Sequence, residues 1–107
     1  MATLNEGMRM MIENIDNYCE LLLVNKRQEA LQYRDGLIVD FSTIISAMLP
    51  LYDKPEHADV KDDKDYWIAQ FDRIKDAMYS DDSFFTMDVL KNETKENFLL
   101  YLKMIDK

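Results

Sequence analysis

Residues Pro50 to Asp65, PLYDKPEHADVKDDKD, interrupt the hydrophobic period of this chain for longer than any other segment. The segment holds both prolines and carries six acidic residues against three lysines and one histidine. On each side of it lie two amphipathic patterns that are joined by a short polar break. We therefore predict an acidic linker between two helical hairpins.

The composition favours a single all-α domain over residues 1–107. Two glycines and two prolines are too few for the turns of a sheet protein of this size. A hydrophobic fraction of 48% and an aromatic fraction of 11% indicate a folded chain with one core.

The first hairpin begins with a predicted helix from Leu4 to Val24, for which Thr3 or Asn5 is the candidate cap. Its apolar residues recur at spacings of three and four, which is typical of a helix that faces a bundle core. They are Leu4, Met8, Met11, Ile12, Ile15, Tyr18, Cys19 and Leu22.

A second helix is predicted from Lys26 to Leu49. Asn25 and Gln28 have the spacing of a capping box, so we expect Asn25 to be the N-cap. Gly36 leaves room for a kink or a late start, and Pro50 ends the helix.

The second hairpin is predicted to contain a helix from near Asp63 to about Tyr79, a break at Ser80–Asp82, and a helix from Ser83 to Ile105. Thr94 and Asn97 interrupt the apolar face of the last helix. The residues expected to be buried are Trp67, Ile68, Phe71, Ile74, Met78, Phe84, Met87, Leu90, Phe98, Tyr101, Leu102 and Ile105.

Short breaks make consecutive helices antiparallel neighbours, so these elements predict an up-down-up-down four-helix bundle. It would consist of a hairpin at 4–49, the linker at 50–63 and a hairpin at 64–106. A three-helix bundle, in which the first two helices fuse through Asn25, is the alternative.

The net charge of −8 argues against nucleic acid and anionic membranes as partners, because both require a positive field. The single cysteine, Cys19, indicates a reducing compartment. We see no signal peptide and no apolar run of about 20 residues that would span a membrane. A bacterial cytoplasmic location is the expectation.

The sequence offers no convincing catalytic, cofactor or metal site. Its one histidine, His57, lies in the linker, whereas a di-metal bundle needs histidines on facing helices. Cys19 lies on an apolar helix face without a neighbouring histidine, which predicts a buried thiol. The linker aspartates Asp59, Asp62, Asp63 and Asp65 lack the spacing and glycine of a calcium loop.

The first helix resembles that of the all-helical chorismate mutases in the pattern Arg9-x-x-Ile12-Glu13-x-Ile15-Asp16, followed by Leu22 and Lys26. The resemblance covers about 20 residues and implies that Arg9 and Lys26 bind a dicarboxylate substrate. Leu37 stands where that family would need a lysine.

A second resemblance involves the segment SDDSFFTMDVLKNE, residues 80–93, which is similar to a turn-and-helix segment of small uncharacterised bacterial helical proteins. The overall plan is also similar to that of flagellar export chaperones. These are acidic helical bundles that bind a partner helix, so the resemblance implies an architecture and a protein partner.

The sequence has more apolar residues at one end of the predicted bundle than a single core face can bury. We therefore predict a partner-binding patch for another protein or a second copy, with a homodimer as the simplest form. In the alternative, Leu51, Tyr52 and Val60 of the linker cover this end. The predicted binding residues are Met8, Met10, Met11, Tyr52, Tyr66, Trp67, Leu99, Leu100 and Tyr101.

These features favour a non-enzymatic helical interaction module, acting as an adaptor, chaperone or regulator. A small enzyme of the chorismate mutase type is the alternative. A third hypothesis is an acidic antitoxin that masks a basic surface.

Overall fold

The computed structural model describes residues 3–60 and 63–105, without the side chains of Val60 and Ile105. The fold is all-α, and the described residues contain no strand. We number the four helices α1 (Leu4–Leu23), α2 (Arg27–Met48), α3 (Asp63–Tyr79) and α4, which joins an α-helical segment (Ser83–Met87), a π-helical segment (Asp88–Lys95) and an α-helical segment (Glu96–Ile105).

The break between α1 and α2 is a C-terminal cap of α1. Asn25 has a φ of 62°, the left-handed conformation that asparagine tolerates better than most residues. Its N–H donates to Leu22 O at 3.2 Å and the N–H of Lys26 donates to Leu21 O at 2.8 Å, which is the Schellman pattern. The expected N-cap role of Asn25 is therefore wrong, and so is the three-helix alternative that fuses α1 with α2.

At the other end of α1, the Oγ1 of Thr3 accepts a hydrogen bond from the N–H of Glu6 at 3.1 Å. Thr3 is thus the N-cap, one of the two residues expected for this role. The observed helix bounds lie within one residue of the predicted ones for α1 and α2, and they coincide for α3.

The α2 helix runs without a break through Gly36, so no kink occurs there. After Met48 the chain does not leave the helical region at once. It tightens into one 3-10 segment (Leu49–Asp53) and then a second (Pro55–Val60), so that Pro50 ends α2 by changing its hydrogen-bond pattern.

The helical segment Arg27–Asp53 is long and apolar enough to cross a membrane by length and composition, since a window of 18 residues within it has a mean hydropathy of 1.3. The sequence led us to expect no such stretch. Small neutral residues such as Ser42, Thr43 and Ala47 separate its apolar residues without adding charge. A mostly buried core helix passes the same test; here 33% of the window is buried, and α2 buries Phe41 and Met48.

Two residues predicted to be buried lie on the surface instead. Ile68 is 51% exposed and Phe84 is 79% exposed. Polar residues occupy the inward positions of these helices, because their side chains find hydrogen-bond partners there. The buried polar residues are Gln70, Thr86 and Thr94.

The π-helical segment explains how α4 buries one continuous face. Its inward residues recur at every fourth position, whereas an α-helix has 3.6 residues per turn and would rotate such a row off the core. A π segment contains more residues per turn and corrects this rotation. The row consists of Thr86, Leu90, Thr94, Phe98 and Leu102, all of them buried.

Contacts near both ends of the molecule agree with the predicted helix order. The guanidinium of Arg27 donates to Ser80 O at 2.8 Å and to Ser83 Oγ at 2.9 Å, which joins the two helix–helix breaks. At the opposite end, the phenol of Tyr101 donates to Met48 O at 3.1 Å. The up-down-up-down topology itself stays a prediction.

Candidate partner-binding groove

The nine residues predicted to bind a partner divide into a buried and an exposed group. Met10 is 58% exposed, Tyr66 is 47% exposed and Leu100 is 62% exposed, while Leu99 is half-buried. The other five belong to the core of this chain, which corrects the prediction that they form surface: Met8, Met11, Tyr52, Trp67 and Tyr101.

The linker buries the aromatic members of that group. The indole N–H of Trp67 donates to the phenol oxygen of Tyr52 at 2.8 Å. The rings of Tyr52 and Tyr101 lie 5.6 Å apart, and Trp67 stacks on Phe98 at 5.2 Å. Tyr52 therefore fills the space beside the short α3 helix, as in the alternative in which the linker covers this end.

Leu51, which was expected to cover this end with Tyr52, is half-buried. The side chain of Val60, the third residue expected there, lies outside the described residues. The cover is partial, because an open groove remains between the linker, the start of α3 and the end of α4.

We call this feature the aromatic groove. It has a volume of about 1170 Å³ and is open to solvent. Tyr52, Trp67 and Tyr101 contribute buried aromatic surface to it, and Tyr66 and Leu100 are its most exposed apolar residues. The remaining lining residues are Leu51, Lys54, Glu56, His57, Asp59, Asp63, Asn97, Lys103 and Met104.

Tyr66 is held in place although its ring is exposed. The Nδ2 of Asn97 donates to the phenol oxygen of Tyr66 at 2.7 Å, and the Tyr66 ring packs edge-on against Trp67 at 6.2 Å. We expected Asn97 only as a polar interruption of the apolar face of the last helix. In the structure its side chain holds the phenol of Tyr66. A side chain fixed before binding loses less conformational entropy on contact with a partner.

The linker side of the groove is acidic. Glu56, Asp59 and Asp63 lie there as exposed carboxylates, and Lys54 is the one lysine of this wall among the described residues. A salt bridge connects the linker to α3, since the Nζ of Lys64 lies 2.9 Å from the Oδ2 of Asp53.

The two buried phenols of the groove, those of Tyr52 and Tyr101, are not suited to proton transfer near neutral pH. Burial raises the pKa of Tyr52, against the effect of the hydrogen bond from Trp67, and burial also raises the pKa of Tyr101. Both phenols therefore stay protonated and serve as packing surface and hydrogen-bonding groups. Burial likewise raises the pKa of the Cys19 thiol, to about 11.

The structure separates the two cations implied by the chorismate mutase resemblance. Arg9 lies near the start of α1 and Lys26 beyond its end, on the order of 25 Å apart along the helix. Leu37 is buried in the core. Within this chain, Arg9 and Lys26 therefore do not form one substrate site.

No group of three or more His, Cys, Asp or Glu side chains could hold a metal ion among residues 3–60 and 63–105. Asp62, one of the four linker aspartates considered above, lies outside that range.

Further exposed apolar residues, which the hydrophobic pattern did not predict, lie near the two helix–helix breaks. Leu23 is 67% exposed, and Tyr79 and Phe84 are 54% and 79% exposed. The sequence signal for an exposed residue here was the pair of adjacent phenylalanines, Phe84 and Phe85. Of the two, only Phe85 packs against the core.

A second groove of about 680 Å³ lies between α1 and α2. Half of its lining residues are polar or charged, as in the aromatic groove, and they include Asn14, Asn17 and Gln32. Its exposed aromatic residue is Tyr33. It lacks the cluster of aromatic rings that distinguishes the aromatic groove.

Comparison with protein-family models, curated proteins and solved structures finds no match to this chain.

Proposed function

We propose that this chain is a non-enzymatic helical interaction module of the bacterial cytoplasm, acting as an adaptor, chaperone or regulator. Another protein chain binds in its aromatic groove. The observation that carries the proposal is the exposure of Tyr66 and Leu100 in a groove lined by the rings of Tyr52, Trp67 and Tyr101.

Single exposed apolar residues are common on protein surfaces and need no explanation. Here two of them share one groove with three aromatic rings, and Tyr and Trp are enriched at binding hot spots. The volume of about 1170 Å³ is above the range of roughly 300–1,000 Å³ typical of small-molecule sites. An open groove of this size, with apolar and aromatic residues beside charged ones, suits a helix of a partner that is laid in by its apolar face.

Site-specific photo-crosslinking in the cells that express the protein tests this proposal. A photoreactive phenylalanine analogue replaces Leu100 in one variant and Val39 in a control variant. Val39 is a matched control, because it is also 62% exposed on a helix but does not line the groove.

We expect a discrete adduct from position 100 and none from position 39. The adduct mass distinguishes a second copy of this chain from a different protein. The same adducts from both positions, or none from position 100, would contradict the proposal.

A further inference from the structure

We infer that the occupant of the aromatic groove is an amphipathic helix whose polar face is basic. This inference rests on the proposed function, since it names the chemistry of the partner that binds in the same groove. It follows from the distribution of charge around the groove and from the charge of this chain's own helices.

The two walls of the groove differ in charge. The linker and the start of α3 carry the carboxylates of Glu56, Asp59 and Asp63 beside one described lysine, Lys54. The α4 wall carries Leu100, the partly buried Met104 and the exposed Lys103. A helix in the groove would place its apolar face against α4 and one polar flank against the linker. That flank meets three negative charges, so lysine or arginine side chains are the complement.

These three carboxylates form no ion pair with any lysine or arginine of the described part of the chain, unlike Asp16, Asp53 and Asp72 elsewhere. Within residues 3–60 and 63–105, no close cation neutralises their negative potential. Lys54 and Lys103 also line the groove, so among its described lining residues the carboxylates outnumber the lysines by three to two. The net charge of −8 adds a long-range attraction for cations.

The same charges disfavour a second copy as the occupant. None of the four helices has a net positive charge, and α1 carries four acidic residues against one arginine. A helix of this chain would bring further carboxylates to the linker wall, and like charges at an interface oppose association.

The chain contains one tryptophan, Trp67, and this residue lines the groove. Its fluorescence can therefore report binding of a peptide that has no aromatic residues. The probe is an amphipathic peptide of about 18 residues with leucine on one face and lysine on the other. A peptide with glutamate in place of lysine is the matched comparison.

Two triple variants distinguish the effect of the groove carboxylates from the effect of the net charge of the chain. The groove variant is Glu56→Gln, Asp59→Asn and Asp63→Asn. The control variant is Glu13→Gln, Glu29→Gln and Asp76→Asn, three exposed carboxylates that do not line the groove. Both variants have the same net charge.

We expect the leucine–lysine peptide to bind the native chain and to lose affinity about tenfold in the groove variant, with little change in the control variant. Equal losses in both variants would contradict the inference, because they would indicate attraction by net charge alone. Equal binding of the glutamate peptide would also contradict it while leaving the groove as a docking site.

If neither peptide changes the Trp67 fluorescence, the inference is wrong. The crosslinking at position 100 then still decides the proposed function independently, since it detects any protein partner, including a second copy.

Discussion

Gln70 of α3 donates a hydrogen bond from its Nε2 to the Oγ1 of Thr94 in α4 at 3.1 Å, and both side chains are buried. The hydroxyl of Thr94 donates in turn to the carbonyl of Val89, five residues earlier, at 2.9 Å. This second bond bridges the π-helical segment. The pair thus links α3 to the part of α4 whose hydrogen-bond pattern is irregular.

Replacing Thr94 with valine should destabilise the fold by about 1–3 kcal/mol, because the Gln70 amide loses a partner in a buried position. Urea unfolding followed by circular dichroism measures this change. The matched control is Thr43→Val, since the Thr43 hydroxyl donates to Val39 O on the exposed side of α2. The control should change stability by less than about 0.5 kcal/mol.

The double variant Gln70→Leu with Thr94→Val tests whether the two residues act together. Because it removes both polar partners, its loss of stability should be smaller than the sum of the two single losses. Additive losses would show that the hydrogen bond does not couple α3 to α4.

The same region predicts a dependence of stability on pH. Arg73 makes two hydrogen bonds to the carboxylate of Glu93, at 2.6 and 2.8 Å, and this interaction lowers the pKa of Glu93 below its ordinary value of 4.5. Ionised Glu93 therefore stabilises the fold above about pH 4.5, and this contribution is lost as the pH falls through the lowered pKa.

Urea unfolding at neutral pH and at about pH 3 should show a smaller acid-induced loss for Glu93→Gln than for the native chain. Glu13→Gln, which removes an exposed carboxylate of α1, should lose as much as the native chain. Identical losses in all three proteins would contradict the role of the Arg73–Glu93 pair.

Replacing Tyr52 with phenylalanine should cost about 1–3 kcal/mol, because the buried indole N–H of Trp67 then lacks its acceptor. The variant should also shift the fluorescence emission of Trp67. Tyr33→Phe is the control, since Tyr33 is 62% exposed, and it should leave both stability and emission unchanged. An unchanged emission in Tyr52→Phe would indicate that the linker does not pack on Trp67.

Cys19 should react with a thiol reagent only when the chain unfolds. The residue is 2% exposed and burial raises its pKa to about 11, so at about pH 8 little thiolate is present. We expect slow labelling of the native chain and fast labelling in urea. Fast labelling without denaturant would contradict the described packing of α1.

The helix bounds could be predicted because local signals determine them. The hydrophobic period located the helices, Thr3 supplied a cap, and Pro50 changed the backbone pattern close to the predicted end of α2. Asn25 was assigned to the wrong helix end, since asparagine is favoured both at N-caps and in the left-handed conformation of C-caps.

We did not predict the π-helical segment. We expected a regular α-helix, in which Thr94 interrupts the apolar face and does not belong to the core. The inward row at every fourth position was the signal that was overlooked. Tyr66 and Leu100, two residues of the predicted patch, are exposed and line the groove. Composition could not show that Tyr52 and Trp67 are buried instead and joined by a hydrogen bond.

Nuclear magnetic resonance of the isotope-labelled chain in lysate from cells that express it tests the central claim most directly. If the aromatic groove is the docking surface, the chemical shifts of the backbone signals of residues 51–59 and 97–104 and of the Trp67 side chain should change most when lysate is added. Residues 30–47 should show the smallest shift changes, and Leu100→Asp should abolish the effect. Shift changes of equal size along the chain, or shift changes that persist in Leu100→Asp, would contradict the claim.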